Sequence, residues 1–341
     1  LKVPEDLAVQ LRDYQLIGAQ WLQTLRDWEL GALLADDMGL GKTLQALTIV
    51  KGQTLVIAPT SVIHTWVEQA ETFRPRLKVN LYWGQGRRLN AQDELVITSF
   101  GVLRQDRELL ADRLWDMVIV DESQTIKNPD SLTAQCVFSL NARFRLAMTG
   151  TPVENSLRDL WSQFNFILPG LLPALNEMET RAADNQLLSS IRQNIRPYLL
   201  RRTKDEVAKE LPSKTEEVVY CELSKEERDL YQAISVALRK EVLESDGSSQ
   251  KPQSTFAILE ALLRLRQACC HSALVPGSDL QLSAKLDTLE AMLQTAISEG
   301  HRALVFSQWT SLLDLLELRL KQLNLNYLRL DGSTANRAQV V

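Results

Sequence analysis

The sequence is poor in the residues that build covalent and metal scaffolds. Its 341 residues include four cysteines and three histidines. Cys136, Cys221, Cys269 and Cys270 show no Cys-x-x-Cys spacing. That argues against a disulfide-stapled domain and for a reducing, intracellular compartment. Cys269-Cys270-His271 is the one local cluster of metal-ligand types. Adjacent residues on a helix point in different directions and no second ligand pair is in sight, so helix-core packing accounts for the cluster better than a metal. Long apolar runs are also missing, and no stretch is long enough to cross a bilayer. The first residues lack the charged-then-apolar layout of a signal peptide. Nor is there an excess of positive charge: the net charge is −5 and the isoelectric point about 5.5. This argues against a surface coated with nucleic acid but leaves room for a local basic groove. The remaining composition, 45% hydrophobic and 24% charged, is that of a soluble globular protein. The length suits two domains.

Against this ordinary background one stretch stands out, Asp36-Asp37-Met38-Gly39-Leu40-Gly41-Lys42-Thr43. It follows the apolar run Ala32-Leu33-Leu34-Ala35 and precedes Leu44-Gln45-Ala46-Leu47-Thr48-Ile49-Val50. Strand, glycine loop, Gly-Lys-Thr and helix in that order are the context of a phosphate-binding loop. Gly39 and Gly41 allow a tight backbone whose N–H groups approach an anion, and the helix that follows adds the positive end of its dipole. Lys42 would reach the β- and γ-phosphates, and Thr43 would hold a bridging Mg²⁺. The match is incomplete, because Asp36 stands where the general pattern has glycine; a glycine turn before an ordinary helix is the bland alternative.

A second motif, Val118-Ile119-Val120-Asp121-Glu122, ends an apolar strand in two carboxylates. Such a pair is costly unless it meets a cation or water. Asp121 would hold the Mg²⁺, directly or through water, and Glu122 would orient and deprotonate an attacking water. A solvent-facing strand end is the plain alternative. Further β-type runs lie at 54–58, 79–82, 95–98, 117–120 and 144–148, alternating with helical patterns near 62–73, 102–110 and 131–140. Continuous apolar strands separated by helices predict a parallel sheet covered on both faces. Their polar ends, Pro59-Thr60-Ser61, Thr98-Ser99, Asp121-Glu122-Ser123-Gln124 and Thr149-Gly150-Thr151, should gather on one edge. The last of these reads either as a simple turn or as a sensor of the γ-phosphate.

Upstream, residues 7–28 predict one amphipathic helix. Gln15 at its start packs, or reads an adenine edge with its amide. Residues 157–202 read as mostly helical and end in the basic Arg201-Arg202-Thr203-Lys204, either a solvated helix end or a phosphate contact. Residues 217–223 predict a strand, Ser224 caps a long helix, and 245–254 is a loop. Residues 256–271 predict another helix. From 284 an α/β pattern restarts, with strands at 303–306 and 327–330.

Taken together these blocks resemble the Swi/Snf family of helicase-like, DNA-translocating ATPases, over almost the whole chain. The resemblance is carried by Leu11-Arg12-Asp13-Tyr14-Gln15, the 36–43 loop, Ala58-Pro59-Thr60-Ser61 with Trp66, and Ile97-Thr98-Ser99-Phe100. It continues through Asp121-Glu122-Ser123-Gln124, Thr149-Gly150-Thr151-Pro152, Leu199-Leu200-Arg201-Arg202-Thr203-Lys204, Leu265-Arg266-Gln267 with Cys270-His271, Phe306-Ser307-Gln308 and Asp331-Gly332-Ser333-Thr334.

The resemblance implies an α/β fold of two RecA-like parallel-sheet lobes with inserted helical protrusions, the second lobe incomplete. Lobe one would span 1–156, a helical protrusion and the end of that lobe 157–204, a linker, strand and second protrusion 205–282, and the start of lobe two 283–341. ATP and Mg²⁺ would sit in the cleft, held by Arg12, Gln15, Asp37, Met38, Gly39, Leu40, Gly41, Lys42 and Thr43, with Asp121 and Glu122 opposite. Thr149, Gly150 and Thr151 would couple hydrolysis to movement. Thr60, Ser61, Thr98, Ser99, Ser307 and Gln308 would touch double-stranded DNA. The implied protein is a monomer without a membrane, located in the cytoplasm or nucleoid of a prokaryote or the nucleus of a eukaryote; Asp-Glu-Ser-Gln and the compact lobes lean toward a prokaryote.

Four departures qualify the match. Ser123-Gln124 replaces the commoner Ala-His or Gly-His, and Ser272 stands where proline often follows Cys-His. The family's last two motifs, with its arginine finger, have no counterpart before Val341, which implies nucleotide binding with poor hydrolysis. Short connectors such as Lys51-Gly52-Gln53 suggest that the sequence is a part of a longer chain or closes over missing loops; an intact mass of 38.6 kDa would reject the closed-loop version. The leading expectation is therefore a DNA-stimulated ATPase that tracks along duplex DNA and remodels bound proteins. A non-hydrolysing nucleotide- or DNA-binding module, a strand-separating helicase, and a P-loop ATPase acting on protein alone are the alternatives.

Overall fold

The computed structural model describes residues 3–150, 156–210, 215–245 and 251–334. The chain divides into two compact units, residues 1–213 and 214–341.

The first unit is built on a parallel sheet. Its strands are β1 (Ala32–Leu34), β2 (Thr54–Ala58), β3 (Val79–Leu81), β4 (Leu95–Ser99), β5 (Leu114–Val120), β6 (Asn141–Met148) and β7 (Leu199–Leu200). They lie in the order β3-β4-β2-β5-β6-β1-β7, and each pairing is parallel. Its helices are α1 (Asp13–Asp27), α2 (Lys42–Ile49), α3 (Ile63–Phe73), α4 (Phe100–Gln105), α5 (Arg107–Ala111), α6 (Leu132–Phe138), α7 (Leu157–Ile167), α8 (Leu175–Thr180), α9 (Asn185–Ile195) and α10 (Lys204–Val207).

The continuous apolar strands follow from having two covered faces. Side chains alternate across a strand, so Leu55 and Ile57 of β2 join Val118, Val120, Phe164 and Phe166 in one core. Val56 and Ala58 join Ile97, Ile119, Leu22, Leu47 and Trp66 in the other. No position of β2 or β4 faces water.

Register sets where chemistry can occur. Leu34 pairs with Met148, Ile57 with Val120, and Ala58 with Ser99. The strand ends are therefore level, and the segments after β1, β2, β4, β5 and β6 leave from the same edge. In sheet order, the loop after β1 neighbours the end of β6, which neighbours the end of β5, then that of β2.

The structure differs from the sequence reading at several boundaries. The first helix begins at Asp13 instead of residue 7, because Arg12 is an extended N-cap (φ −69°, ψ 157°). The single helix expected at 102–110 is two, α4 and α5, interrupted at Asp106. Its carboxylate is held by Arg87 and by the Tyr82 hydroxyl. The 157–202 segment also contributes an edge strand, β7, paired with β1.

The second unit is helical among the described residues: α11 (Lys225–Ser245), α12 (Lys251–Ala268), α13 (Ala284–Ser298) and α14 (Thr310–Gln322). Ser224 caps α11 as expected: its hydroxyl accepts from Glu227 N at 3.2 Å, and the Glu227 carboxylate accepts from Ser224 N at 2.8 Å. The strands expected at 217–223, 303–306 and 327–330 are not formed. Helices satisfy their own backbone groups, whereas a strand needs a neighbour; among the described residues none pairs with these segments. Leu304, Phe306 and Leu328 are 87%, 89% and 78% exposed in consequence.

Candidate active site

The loop between β1 and α2 turns on two left-handed glycines, Gly39 (φ 85°) and Gly41 (φ 76°). Gly41 is also the N-cap of α2. Its positive φ favours glycine, and a Cβ there would press on the tip of the Gln15 side chain, 2.5 Å from Nε2. Lys42 Nζ donates to the carbonyls of Asp36 at 2.8 Å and Asp37 at 3.2 Å. Burial, the largest effect, pulls its ammonium below the ordinary lysine range. Glu122, Asp121, Asp36 and Asp37 push the other way. The loop lysine and the two carboxylates that follow β5 therefore share one electrostatic site.

Asp36, which breaks the general loop pattern, has a structural explanation. It is fully buried and accepts a fork from Arg202, Nε to Oδ1 at 3.0 Å and Nη2 to Oδ2. Gln45 Nε2 also donates to Asp36 at 3.2 Å, and its Oε1 accepts from Arg202 at 2.8 Å. Arg202 donates to the Tyr14 carbonyl as well and lies over the Tyr14 ring, 5.4 Å from its centroid. Backbone bonds from Ala35 N to Leu200 O (2.7 Å) and Asp37 N to Arg202 O (3.0 Å) continue the β1–β7 pairing into the loop. The basic cluster read as solvated or phosphate-bound thus has a third role at Arg202, which clamps the start of the β1–α2 loop. Its partner stands 166 residues away in the sequence, so no local spacing pointed to it.

At the end of β5, Asp121 Oδ2 accepts from Trp66 Nε1 at 2.8 Å and Oδ1 from the Glu122 amide at 2.9 Å. Burial pushes the Asp121 carboxyl above the usual range, and Glu122 adds to this, while the Trp66 hydrogen bond and Lys42 oppose it. Glu122 is left-handed (φ 50°, ψ 56°). A non-glycine residue there is strained by about 1–3 kcal/mol, a cost concentrated at functional sites. Gln124 Nε2 donates to Glu122 Oε2 at 2.8 Å, and Gln124 Oε1 accepts from Thr149 Oγ1 at 3.0 Å. One amide thus joins the β5 carboxylate to the end of β6. Beside it, a Cβ on Gly150 would fall 2.6 Å from Met38 Cγ and 3.6 Å from Lys42 Nζ. The ends of β1, β5 and β6 converge within side-chain reach.

The other candidates divide. Gln15 is buried, its Oε1 accepting from Arg12 N at 3.0 Å and its Nε2 donating to Leu40 O at 3.3 Å. It docks the first helix onto the loop. Arg12 is exposed and paired with Glu210. Leu40 is buried, Met38 is exposed, and Thr43 is half-buried in the first turn of α2. Thr60 and Ser61 are exposed at the end of β2. Thr98 and Ser99 are not available as expected. Both are buried; Thr98 donates to Tyr82 O at 2.9 Å, and Ser99 caps α4 by accepting from Val102 N at 3.3 Å. In the second unit Gln308 is exposed and accepts from Arg266, and the Ser307 hydroxyl bonds the Trp309 backbone at 2.9 and 3.0 Å. Thr151 lies outside the described residues. Sequence reasoning missed the roles of Asp36, Arg202 and Gln45, and the bonds made by Trp66 and Gln124.

The chain also matches known proteins over most of its length. Residues 14–274 match the SNF2-related domain. The chain belongs to the SNF2-related family. It is 32% identical over 368 residues to "Probable ATP-dependent DNA helicase CHR12" of Arabidopsis thaliana, covering 95% of this chain and 33% of that protein. It is 30% identical to "ISWI chromatin-remodeling complex ATPase ISW1" of Saccharomyces cerevisiae, covering 97% and 32%. The SWI2/SNF2 ATPase core of Sulfolobus solfataricus, solved in complex with dsDNA, superposes with a TM-score of 0.60 at 31% identity, covering 95% of this chain and 73% of that one. The chain spans about a third of the length of these curated SNF2-related proteins. Its parallel sheet is that of a RecA-like lobe of the SNF2 ATPase core.

Proposed function

We propose that this chain carries the nucleotide-hydrolysing lobe of an ATPase that is stimulated by duplex DNA and moves along it, remodelling bound proteins instead of separating strands. The observation that carries the reading is the meeting of Lys42, Asp121, Glu122 and Thr149-Gly150 just beyond the ends of β1, β5 and β6, which lie in the order β5-β6-β1. In this reading the 37–43 loop wraps the phosphates with its N–H groups. Lys42 exchanges its two carbonyl partners for β- and γ-phosphate oxygens. Glu122 orients the attacking water and takes its proton, a contribution of roughly 10²–10⁴ in rate. Gln124 ties that carboxylate to Thr149, so the state of the γ-phosphate reaches the end of β6.

The donor set suits Mg²⁺: Asp121 and Thr43 offer hard oxygen ligands, and among the described residues each Asp121 oxygen accepts one hydrogen bond, leaving a lone pair. Bound there with the nucleotide, Mg²⁺ would neutralise charge on the phosphates. Gln15 supports the loop and offers its amide near the base, and Arg12 lies beside it. DNA contact falls to the exposed Thr60 and Ser61 in the first unit, and to Ser307 and Gln308 in the second.

The test is ATP turnover with and without duplex DNA, at several salt concentrations, beside Lys42→Ala. Stimulation by DNA that weakens steeply with salt and disappears in Lys42→Ala is the expected result. Turnover indifferent to DNA would favour an ATPase acting on protein alone, and a strand-displacement assay with product would favour an unwinding helicase.

A further inference from the structure

We propose that Trp66 is a positioning residue for Asp121 and links it to the exposed turn 59–62; the proposal rests on the reading of Asp121 as the Mg²⁺ ligand. Trp66 is 2% exposed and among the largest fully enclosed side chains. A buried indole N–H needs an acceptor, and this one is spent on Asp121 Oδ2 at 2.8 Å. The Glu122 amide holds the other oxygen at 2.9 Å. Two donors from different elements thus fix the plane of the carboxylate and, among the described residues, leave one lone pair on each oxygen for a cation.

The second half of the inference comes from where Trp66 sits. It lies in the first turn of α3, one turn after the end of β2. Trp66 N bonds Val62 O at 3.0 Å, and Val62 N bonds Pro59 O at 2.9 Å. Asp121 N bonds Ile57 O at 2.9 Å. The end of β2, the turn, the start of α3 and Asp121 therefore close a ring of hydrogen bonds. Thr60 and Ser61 stand exposed at its tip. A phosphate backbone gripping that tip shifts the start of α3, and the indole N–H carries the shift to the carboxylate. By linkage, DNA then changes metal affinity, and metal changes DNA affinity by the same factor.

A merely structural Trp66 would bury its ring and take the nearest acceptor. Trp66→Phe keeps most of the ring and removes the donor. Benzothienylalanine at position 66 keeps the ring size and also lacks the N–H. The readout is Mg²⁺ titration of fluorescent ATP-analogue binding, with and without duplex DNA, and the same binding in EDTA. Outer-shell partners of a metal ligand are worth about 10–100-fold in metal affinity. Both variants should raise the Mg²⁺ half-saturation by that factor, leave binding in EDTA unchanged, and abolish the shift that DNA causes in the wild type. In an Asp121→Asn background, Trp66→Phe should add no further loss, since the two act as one unit.

Unchanged half-saturation in both variants overturns the proposal, as does an equal loss in EDTA. An undiminished DNA shift overturns the link to the turn. If wild-type binding shows no Mg²⁺ dependence, or Asp121→Asn matches the wild type, the underlying reading of the site fails as well.

Discussion

The two units of this chain hold the same kinds of sequence in different conditions. In the first, runs of two to eight residues are strands, paired on both sides or at an edge, and the candidate site residues gather at their ends. In the second, Ala303-Leu304-Val305-Phe306 and Tyr327-Leu328-Arg329-Leu330 have comparable composition, yet are not strands, and Leu304, Phe306 and Leu328 face water. Local pattern nominates a strand; a neighbouring ladder makes it one. The helices of the second unit obey their sequences because their hydrogen bonds are internal.

The contrast is sharpest for ion pairs. Arg202 in the first unit forks onto a fully buried Asp36. Arg319 in the second reaches Asp287 and Glu290 at an exposed surface. Arg202→Met should cost the first unit about 3–5 kcal/mol, because it strands a buried carboxylate. Arg319→Met should cost the second no more than about 1 kcal/mol. Denaturant melts of both variants decide this, and equal effects would erase the distinction.

Packing gives the next largest difference. Leu55 lies in the inner strand β2 and has no exposed surface. Its replacement by alanine should destabilise by about 2–5 kcal/mol, whereas Leu304→Ala should fall within about 0.5 kcal/mol of the parent. A large cost at Leu304 would mean that its segment is buried in solution.

Acid separates the units least. In the first, the Arg87 guanidinium holds the Asp106 carboxyl below the usual range, with help from Tyr82. A depressed carboxylate stabilises the fold above its unfolded pKa of about 3.9, and the contribution is lost as pH falls through its folded value. In the second, the Ser333 hydroxyl and amide, with Arg329, hold Asp331 at about 2. The stability that each pair supplies should be constant at neutral pH and fall away below about pH 4. Asp106→Asn should flatten that acid limb in the first unit and Asp331→Asn in the second. An unchanged pH profile in either variant would remove that pair from the account.

Much of the first unit was legible because its signals are local. The glycine loop, the strand ending in Asp121-Glu122, and the alternation of apolar runs with helices each occupy a few consecutive residues. What stayed hidden is long-range. Nothing near Asp36 announces Arg202, and nothing near Asp121 announces Trp66; strand order alone brings them together. The two-residue β7 is too short to carry a pattern, and exists because β1 offers it an edge. Thr98 and Ser99 misled for a related reason. Hydroxyls at a strand end look available, but a carbonyl of Tyr82 and the first turn of α4 had already claimed them.

The measurement that bears most directly on the central claim is binding of a fluorescent ATP analogue to residues 1–341, wild type against Lys42→Ala. Lys42 supplies charge-assisted bonds worth about 1.5–3 kcal/mol, which corresponds to roughly 10- to 100-fold in affinity. Binding by the wild type that weakens by that factor in Lys42→Ala is the predicted result. Equal binding by both proteins, or no binding by the wild type, would contradict the assignment of the β1–α2 loop as the nucleotide site.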